Sequence, residues 1–319
     1  MATPNPAKLA MQSVRTLRAF GQRIPITGGV LAPSLEDAVS GRTVMITGAS
    51  SGIGKATALE VGKAGGIVLL VARTQEKLAE VQRQIEVVGG EGHVHTCDLS
   101  SVDDIDRMAV EVLEEYGAVD ILINNAGKSI RRSVNRTYER FHDYQRTMQL
   151  NYFGPVKLIL ALLPKMRQRR SGHIINVSTI GLQTNTPRFS AYLASKAALD
   201  AFSRSLAPEV IEDSVHVTTV YMPLVRTPMI APTKIYDRFP TLTPDEAANM
   251  ITEAIRKRPK RIATALGNLG QLTYAIAPGA QDLVVSRAYK LFPEGGPEQP
   301  PPETPEQRAF VRATRGVHW

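Results

Sequence analysis

Thr43-Val44-Met45-Ile46-Thr47-Gly48-Ala49-Ser50-Ser51-Gly52-Ile53-Gly54-Lys55 is the stretch whose reading decides the fold. A β-branched apolar run passes directly into a glycine loop and then into Lys55 to Ala64, which has helical spacing. Glycines let the chain turn sharply at a strand end and bring backbone N–H groups and a helix N-terminus against a pyrophosphate. The spacing is Gly-x-x-x-Gly-x-Gly rather than the general Gly-x-Gly-x-x-Gly, so a merely tight turn is the competing explanation. Its place after a first strand favours dinucleotide binding through Gly48, Ser50, Ser51, Gly52, Ile53 and Gly54.

Outward from this loop the same alternation recurs. Further strand-like runs fall at Ile67 to Val71, His93 to Cys97, Val119 to Asn124, His173 to Ser178, Val215 to Tyr221 and Ile262 to Ala265. Between them lie helical stretches at Gln75 to Val88, Val102 to Tyr116, Phe141 to Met166 and Ala191 to Ile211. Short buried-type strands separated by amphipathic helices imply right-handed crossovers. The expected fold class is therefore α/β, a Rossmann-type doubly wound parallel sheet of about seven strands with helices on both faces. Residues 1–40 read as a basic extension, whose apolar positions suit a helix packed on the body or one lying on a membrane. Residues 41–292 read as one Rossmann-type domain ending in an apolar helix, Asn268 to Phe292. Residues 293–319 read as a Pro/Glu-rich tether and a tail ending in Trp319.

Composition narrows the class. Of 319 residues, 43% are hydrophobic and 21% charged, which is globular usage. The single cysteine, Cys97, allows no internal disulfide and no cysteine metal cluster, and fits a reducing cytoplasm. A net charge of +8 invites nucleic acid, but aromatics are 6% and no nucleic-acid motif is present. A basic surface equally suits phosphorylated cofactors, CoA esters or an anionic membrane face. No stretch approaches the roughly 20 apolar residues of a membrane span, and the N-terminus lacks a signal-like apolar core. The expectation is a cytoplasmic protein, with peripheral contact at the inner membrane face as an option.

The remaining strand ends carry chemistry. Arg73 and Thr74 follow the second strand where an NAD-selective site places a carboxylate; an arginine there suits a 2′-phosphate, or is simply solvated. Asp98 and Leu99 follow the third strand, where a carboxylate can accept from an adenine amino group. Asn124-Asn125-Ala126-Gly127 follows the fourth, small enough for a ribose to approach the backbone. Ser178 ends the fifth and can hold a carbonyl oxygen. Tyr192 and Lys196, four apart on a helix, share a face, and a nearby cation would pull the phenol toward a working range. Asn151 lies inside a helical stretch, where it marks either a water-holding role or a local kink.

Together, Gly48-x-x-x-Gly52-x-Gly54, Asn124 to Gly127, Asn151, Ser178 and Tyr192-x-x-x-Lys196 resemble a short-chain dehydrogenase/reductase over roughly Gly41 to Ala265. The resemblance implies NADP(H) as cofactor and a tetrad with Tyr192 as acid/base and Lys196 on the nicotinamide ribose. It further implies Ser178 on the carbonyl and Asn151 on a relay water, with Pro223, Val225 and Thr227 beside the nicotinamide. It also implies a homodimer or homotetramer through the two long helices. Leu224 stands where the family usually has glycine, which predicts a differently shaped loop.

Lys128 to Val134, Phe141 to Gly154, Tyr221 to Lys234 and the closing His318-Trp319 resemble bacterial fatty acyl-CoA reductases. That resemblance implies a fatty acyl-CoA substrate. Lys128, Arg131 and Arg132 then suit CoA phosphates, or form a solvated loop. Leu224, Met229, Ile230 and Tyr236 lie in a proline-punctuated segment apolar enough to cover an acyl chain, though core packing explains part of it. The alternatives are a ketone or aldehyde reductase acting on a lipid or steroid, and a non-catalytic NADP-binding scaffold at a membrane.

Overall fold

A short helix, α1 (Leu35–Val39), leads into the sheet, its N-cap Ser34 closing a reciprocal capping box with Asp37. Ala38 and Val39 are buried, so the fold begins before Gly41. The computed structural model describes residues 32–231, 233–291 and 304–308; the expected extension up to residue 31, most of the tail and Trp319 lie outside the described residues.

Strands β1 (Thr43–Thr47), β2 (Ile67–Ala72) and β3 (Glu91–Thr96) alternate with α2 (Gly52–Lys63), α3 (Gln75–Val87) and α4 (Val102–Tyr116). After β4 (Ile121–Asn124) come α5 (His142–Met148), α6 (Gly154–Gln168), β5 (Gly172–Thr179), α7 (Gly181–Thr184) and α8 (Ser190–Glu209). The chain continues through β6 (Val215–Met222), α9 (Pro244–Lys257), β7 (Arg261–Ile262), α10 (Ala265–Ile276) and α11 (Pro278–Leu291). All strands pair in parallel, in the order β3-β2-β1-β4-β5-β6-β7. This is the expected seven-stranded doubly wound sheet.

Alternation within each strand sends side chains to both faces. Val44, Ile46, Val68 and Leu70 meet Val61 of α2, Leu78 and Ile85 of α3, and Ile251 and Ile255 of α9. Met45, Leu69 and Leu122 meet Ile105 and Met108 of α4, Leu158 and Leu162 of α6, and Leu206 of α8. Burial of each such side chain contributes about 1.5–3 kcal/mol, which is why β1 reads as a continuous apolar run. The strand order reverses between β1 and β4, opening a crevice at the carboxyl ends of the strands.

Two helical expectations change. The stretch Phe141 to Met166 is not one α-helix: a π turn, Gln149–Phe153, separates α5 from α6. The inserted turn places Asn151, fully buried, where its side chain reaches another loop. The expected helix Asn268 to Phe292 starts earlier and is two helices. Thr264 caps α10, its hydroxyl accepting from Gly267 N at 3.1 Å, which also cuts the last strand to Arg261–Ile262. Ala277 leaves the helical region at φ −141° because Pro278 follows it.

Candidate active site

The loop after β1 is a cradle that side chains would fill. Gly48 has φ +68°, and a Cβ there would lie 2.9 Å from Ala126 Cα. A Cβ on Gly54 would collide with the Gly48 carbonyl and stand 2.6 Å from Asn125 Nδ2. Only glycine permits this approach of α2 to the strand ends. Asn125 fastens the cradle to β1: its Nδ2 donates to Thr47 O at 2.9 Å, and its N–H donates to Thr47 Oγ1 at 3.0 Å.

The four residues at the reacting end come from three elements: the π turn, β5 and α8. The π turn presents Asn151, whose Oδ1 accepts from Lys128 N at 2.9 Å and whose Nδ2 donates to Lys128 O at 3.0 Å and to Ser195 Oγ at 2.9 Å. Of the two alternatives for this residue the kink is present, and it is what delivers the amide to Lys128 and Ser195. Lys196 of α8 is buried, and its Nζ donates to Val177 O at 2.8 Å. A Cβ on Gly127 would stand 3.2 Å from Asn151 Oδ1 and 3.4 Å from Lys196 Nζ, so these groups converge on the turn after β4. Ser178, at the end of β5, has a buried Oγ with no hydrogen-bond partner among the described residues. Such an orphan is expensive unless a ligand oxygen or nitrogen completes it.

Tyr192 completes the set and corrects an expectation. Burial pushes its phenol up to about 12; a hydrogen bond with Thr179 opposes this, and neighbouring Tyr236 adds to it. Burial pushes Lys196 down to about 8. The lowering expected from Lys196 is therefore not what the site shows: desolvation sets the direction of the Tyr192 shift. At neutral pH Tyr192 thus holds its proton, the state a general acid needs.

Glycine cradle, buried polar tetrad and switch-point crevice coincide with a match of the short chain dehydrogenase family model to residues 42–235. The chain belongs to the short-chain dehydrogenase family. It is 54% identical over 283 residues to a fatty acyl-CoA reductase of Acinetobacter baylyi, covering 88% of this chain and 96% of that protein. It is 47% identical over 247 residues to a fatty acyl-CoA reductase of Mycobacterium tuberculosis, covering 76% and 84% of the two chains. A metagenomic short-chain oxidoreductase solved in complex with NADP is 33% identical, with a TM-score of 0.61, covering 70% of this chain and 97% of that one.

In this dehydrogenase a cavity of about 790 Å³ runs along the crevice. Its wall at the ends of β2 and β3 holds Arg73, Thr74, Asp98 and Leu99, joined by Lys77, four positions after Arg73 and missed in the sequence. Asp98 is partly committed, its Oδ1 accepting from Ser100 N at 2.9 Å. Gly48, Ser50 to Ile53, Asn125 to Gly127, Pro223, Val225 and Thr227 also line the cavity, as do Ser178, Tyr192 and Lys196. Among the described residues Leu224 is not in the positive-φ set, so no glycine is required there. Instead the loop is pinned by a bridge: Leu242 N donates to Leu224 O at 2.9 Å and Arg226 N to Leu242 O at 2.8 Å.

Of the residues expected to meet substrate, Arg131, Leu224, Met229, Ile230 and Tyr236 line the cavity, whereas Lys128 and Arg132 do not. Lys128 serves through its backbone, clamping Asn151. Arg132 lies with Nε 3.2 Å from Asp143, a carboxylate only 1% exposed. Burial raises the Asp143 carboxyl, but Arg140, Arg146 and Arg132 outweigh it and hold it below the usual range. That network anchors the loop. The far wall is Val284, Val285, Ala288 and Tyr289 of α11, which no motif had marked.

Proposed function

We propose that the protein reduces long-chain fatty acyl-CoA to fatty aldehyde and free CoA, with NADPH as reductant. The observation that carries this reading is the cavity itself, polar at the tetrad and apolar toward Ile230, Ile235, Phe239, Val284 and Val285. The likeness to the Acinetobacter baylyi fatty acyl-CoA reductase supports the substrate class. The glycine cradle, Arg73 and Lys77 fit a pyrophosphate and a 2′-phosphate. Bound there, the cofactor supplies a hydride to the thioester carbon. Ser178 Oγ donates to the carbonyl oxygen and Tyr192 protonates it as charge develops. When the carbonyl re-forms, that proton returns to Tyr192, the C–S bond breaks, and CoA leaves as a thiol after taking a proton from solvent. Asn151 and Lys196 serve the path by which the phenol exchanges protons. Assembly into a homodimer or homotetramer, a further expectation of the family, is read by light scattering; a monomer would remove it.

Two substitutions test parts of this scheme. Arg73→Asp removes the 2′-phosphate partner and adds repulsion, and the kcat/KM ratio of NADPH to NADH should fall about tenfold or more; an unchanged ratio removes Arg73 from cofactor selection. Burial pushes the Cys97 thiol up to about 11, so it stays protonated at neutral pH and is no nucleophile. Cys97→Ser should leave turnover within about twofold, whereas loss of turnover in a folded variant would restore an acyl-enzyme route. Product analysis with NADPH and a series of acyl-CoA chain lengths tests the function as a whole. Aldehyde from long chains supports it, and turnover confined to ketones or free aldehydes favours the lipid carbonyl reductase instead.

A further inference from the structure

Helices α10 and α11 form an apolar hairpin attached to the body along a narrow face. Gly267 and Gly270 lie against α7: a Cβ on Gly270 would stand 2.9 Å from the Gln183 carbonyl oxygen, and one on Gly267 would collide with the Gln183 side chain. The opposite side is bare. Every residue from Gln271 to Ala280 is exposed, and Leu269, Leu272, Tyr274 and Ile276, the last 75% exposed, precede exposed Leu283 and Val284. No charged residue occurs from Ala265 to Gln281. A contiguous apolar surface of this kind marks an interaction site.

The flank identifies the partner. Arg256, Lys257, Arg258, Lys260 and Arg261 immediately precede α10, and Arg287 and Lys290 stand exposed on α11. One acid, Asp282, lies on the hairpin, and Lys257 is paired with Glu253 at 2.6 Å. An uncharged apolar projection rimmed by cations matches the boundary between acyl chains and anionic headgroups. Two copies meeting through this face would bring two cationic rims together, which disfavours self-association. The inner side of α11 supplies Val285, Ala288 and Tyr289 to the cavity wall, so the hairpin lies between the exposed surface and the site.

We propose that the α10–α11 hairpin docks the protein on an anionic lipid bilayer, its apolar tip entering the headgroup boundary. No helix among the described residues is long and apolar enough to cross a membrane, so the contact is peripheral. The docking stands whether or not the substrate is an acyl-CoA.

The test is co-sedimentation of the full-length protein with vesicles of phosphatidylcholine alone and with phosphatidylglycerol added. The wild type should bind the anionic vesicles, at least about tenfold tighter than the neutral ones, and release in high salt. Leu272→Glu combined with Ile276→Glu should weaken binding at least about 30-fold. Lys260→Gln combined with Arg261→Gln should weaken it about tenfold on anionic vesicles only. Circular dichroism and NADPH fluorescence titration establish that both variants are folded. Wild-type protein left in the supernatant, or undiminished binding by the Leu272/Ile276 variant, overturns the proposal. Light scattering in which that variant alone dissociates an oligomer overturns it too, since a second copy would then cover the face.

Discussion

Tyr192→Phe is expected to lower kcat about 10³-fold while leaving NADPH affinity, measured by fluorescence titration, within about twofold. In the proposed mechanism the phenol protonates the substrate oxygen, and phenylalanine keeps its ring packing near Phe189 while removing the proton. Ser178 still offers a hydrogen bond, so residual turnover above the uncatalysed rate should persist. A tyrosine whose proton is held up to about 12 and a lysine held at about 8 also set a pH profile. Turnover in the reducing direction should be level through neutral pH and decline as Lys196 loses its charge above about 8, because a neutral lysine no longer stabilises the phenolate left by proton transfer. A variant with wild-type kcat on the preferred substrate would remove Tyr192 from the acid role.

Lys196→Met should separate activity from stability. Loss of the ammonium is expected to lower kcat by about 10²-fold or more. The apoprotein should nevertheless become more stable. A lysine pulled from 10.5 to about 8 by burial carries a desolvation penalty of about 3 kcal/mol. Methionine avoids that penalty but leaves Val177 O without the donor at 2.8 Å, which costs about 1 kcal/mol. The net gain of about 1–2 kcal/mol should raise the melting temperature by a few degrees. Between pH 8 and 10.5 the unfolded wild type binds more protons at this position than the folded one, so wild-type stability from this group rises with pH across that window. The difference between the two proteins should accordingly be largest at pH 7 and shrink toward pH 10. A destabilised variant at pH 7 would show that the buried ammonium is a net stabiliser.

The sheet was legible because every strand except the two edge strands, β3 and β7, is buried on both faces, leaving apolar runs such as Ile67–Ala72 between amphipathic helices. The cradle and the tetrad were legible because glycine spacing and strand-end position constrain what can follow them. What stayed hidden depends on tertiary partners. The π turn at Asn151 follows from a backbone it meets only after folding, the Lys128 loop. Arg132 looked like a free phosphate ligand because Asp143 is eleven residues away along the chain and buried only in the fold. The direction of the Tyr192 shift depends on desolvation, which spacing along a helix cannot report. α11 joined the cavity without any motif, since small and aliphatic residues such as Val285 and Ala288 become a wall only through where the hairpin is placed.

The central claim is direct reduction of a thioester, and counting free thiol against NADPH consumed tests it most directly. With palmitoyl-CoA, wild-type and Cys97→Ser proteins should both release one thiol for each NADPH oxidised, with hexadecanal as the matching product. NADPH oxidation without thiol release would contradict the account.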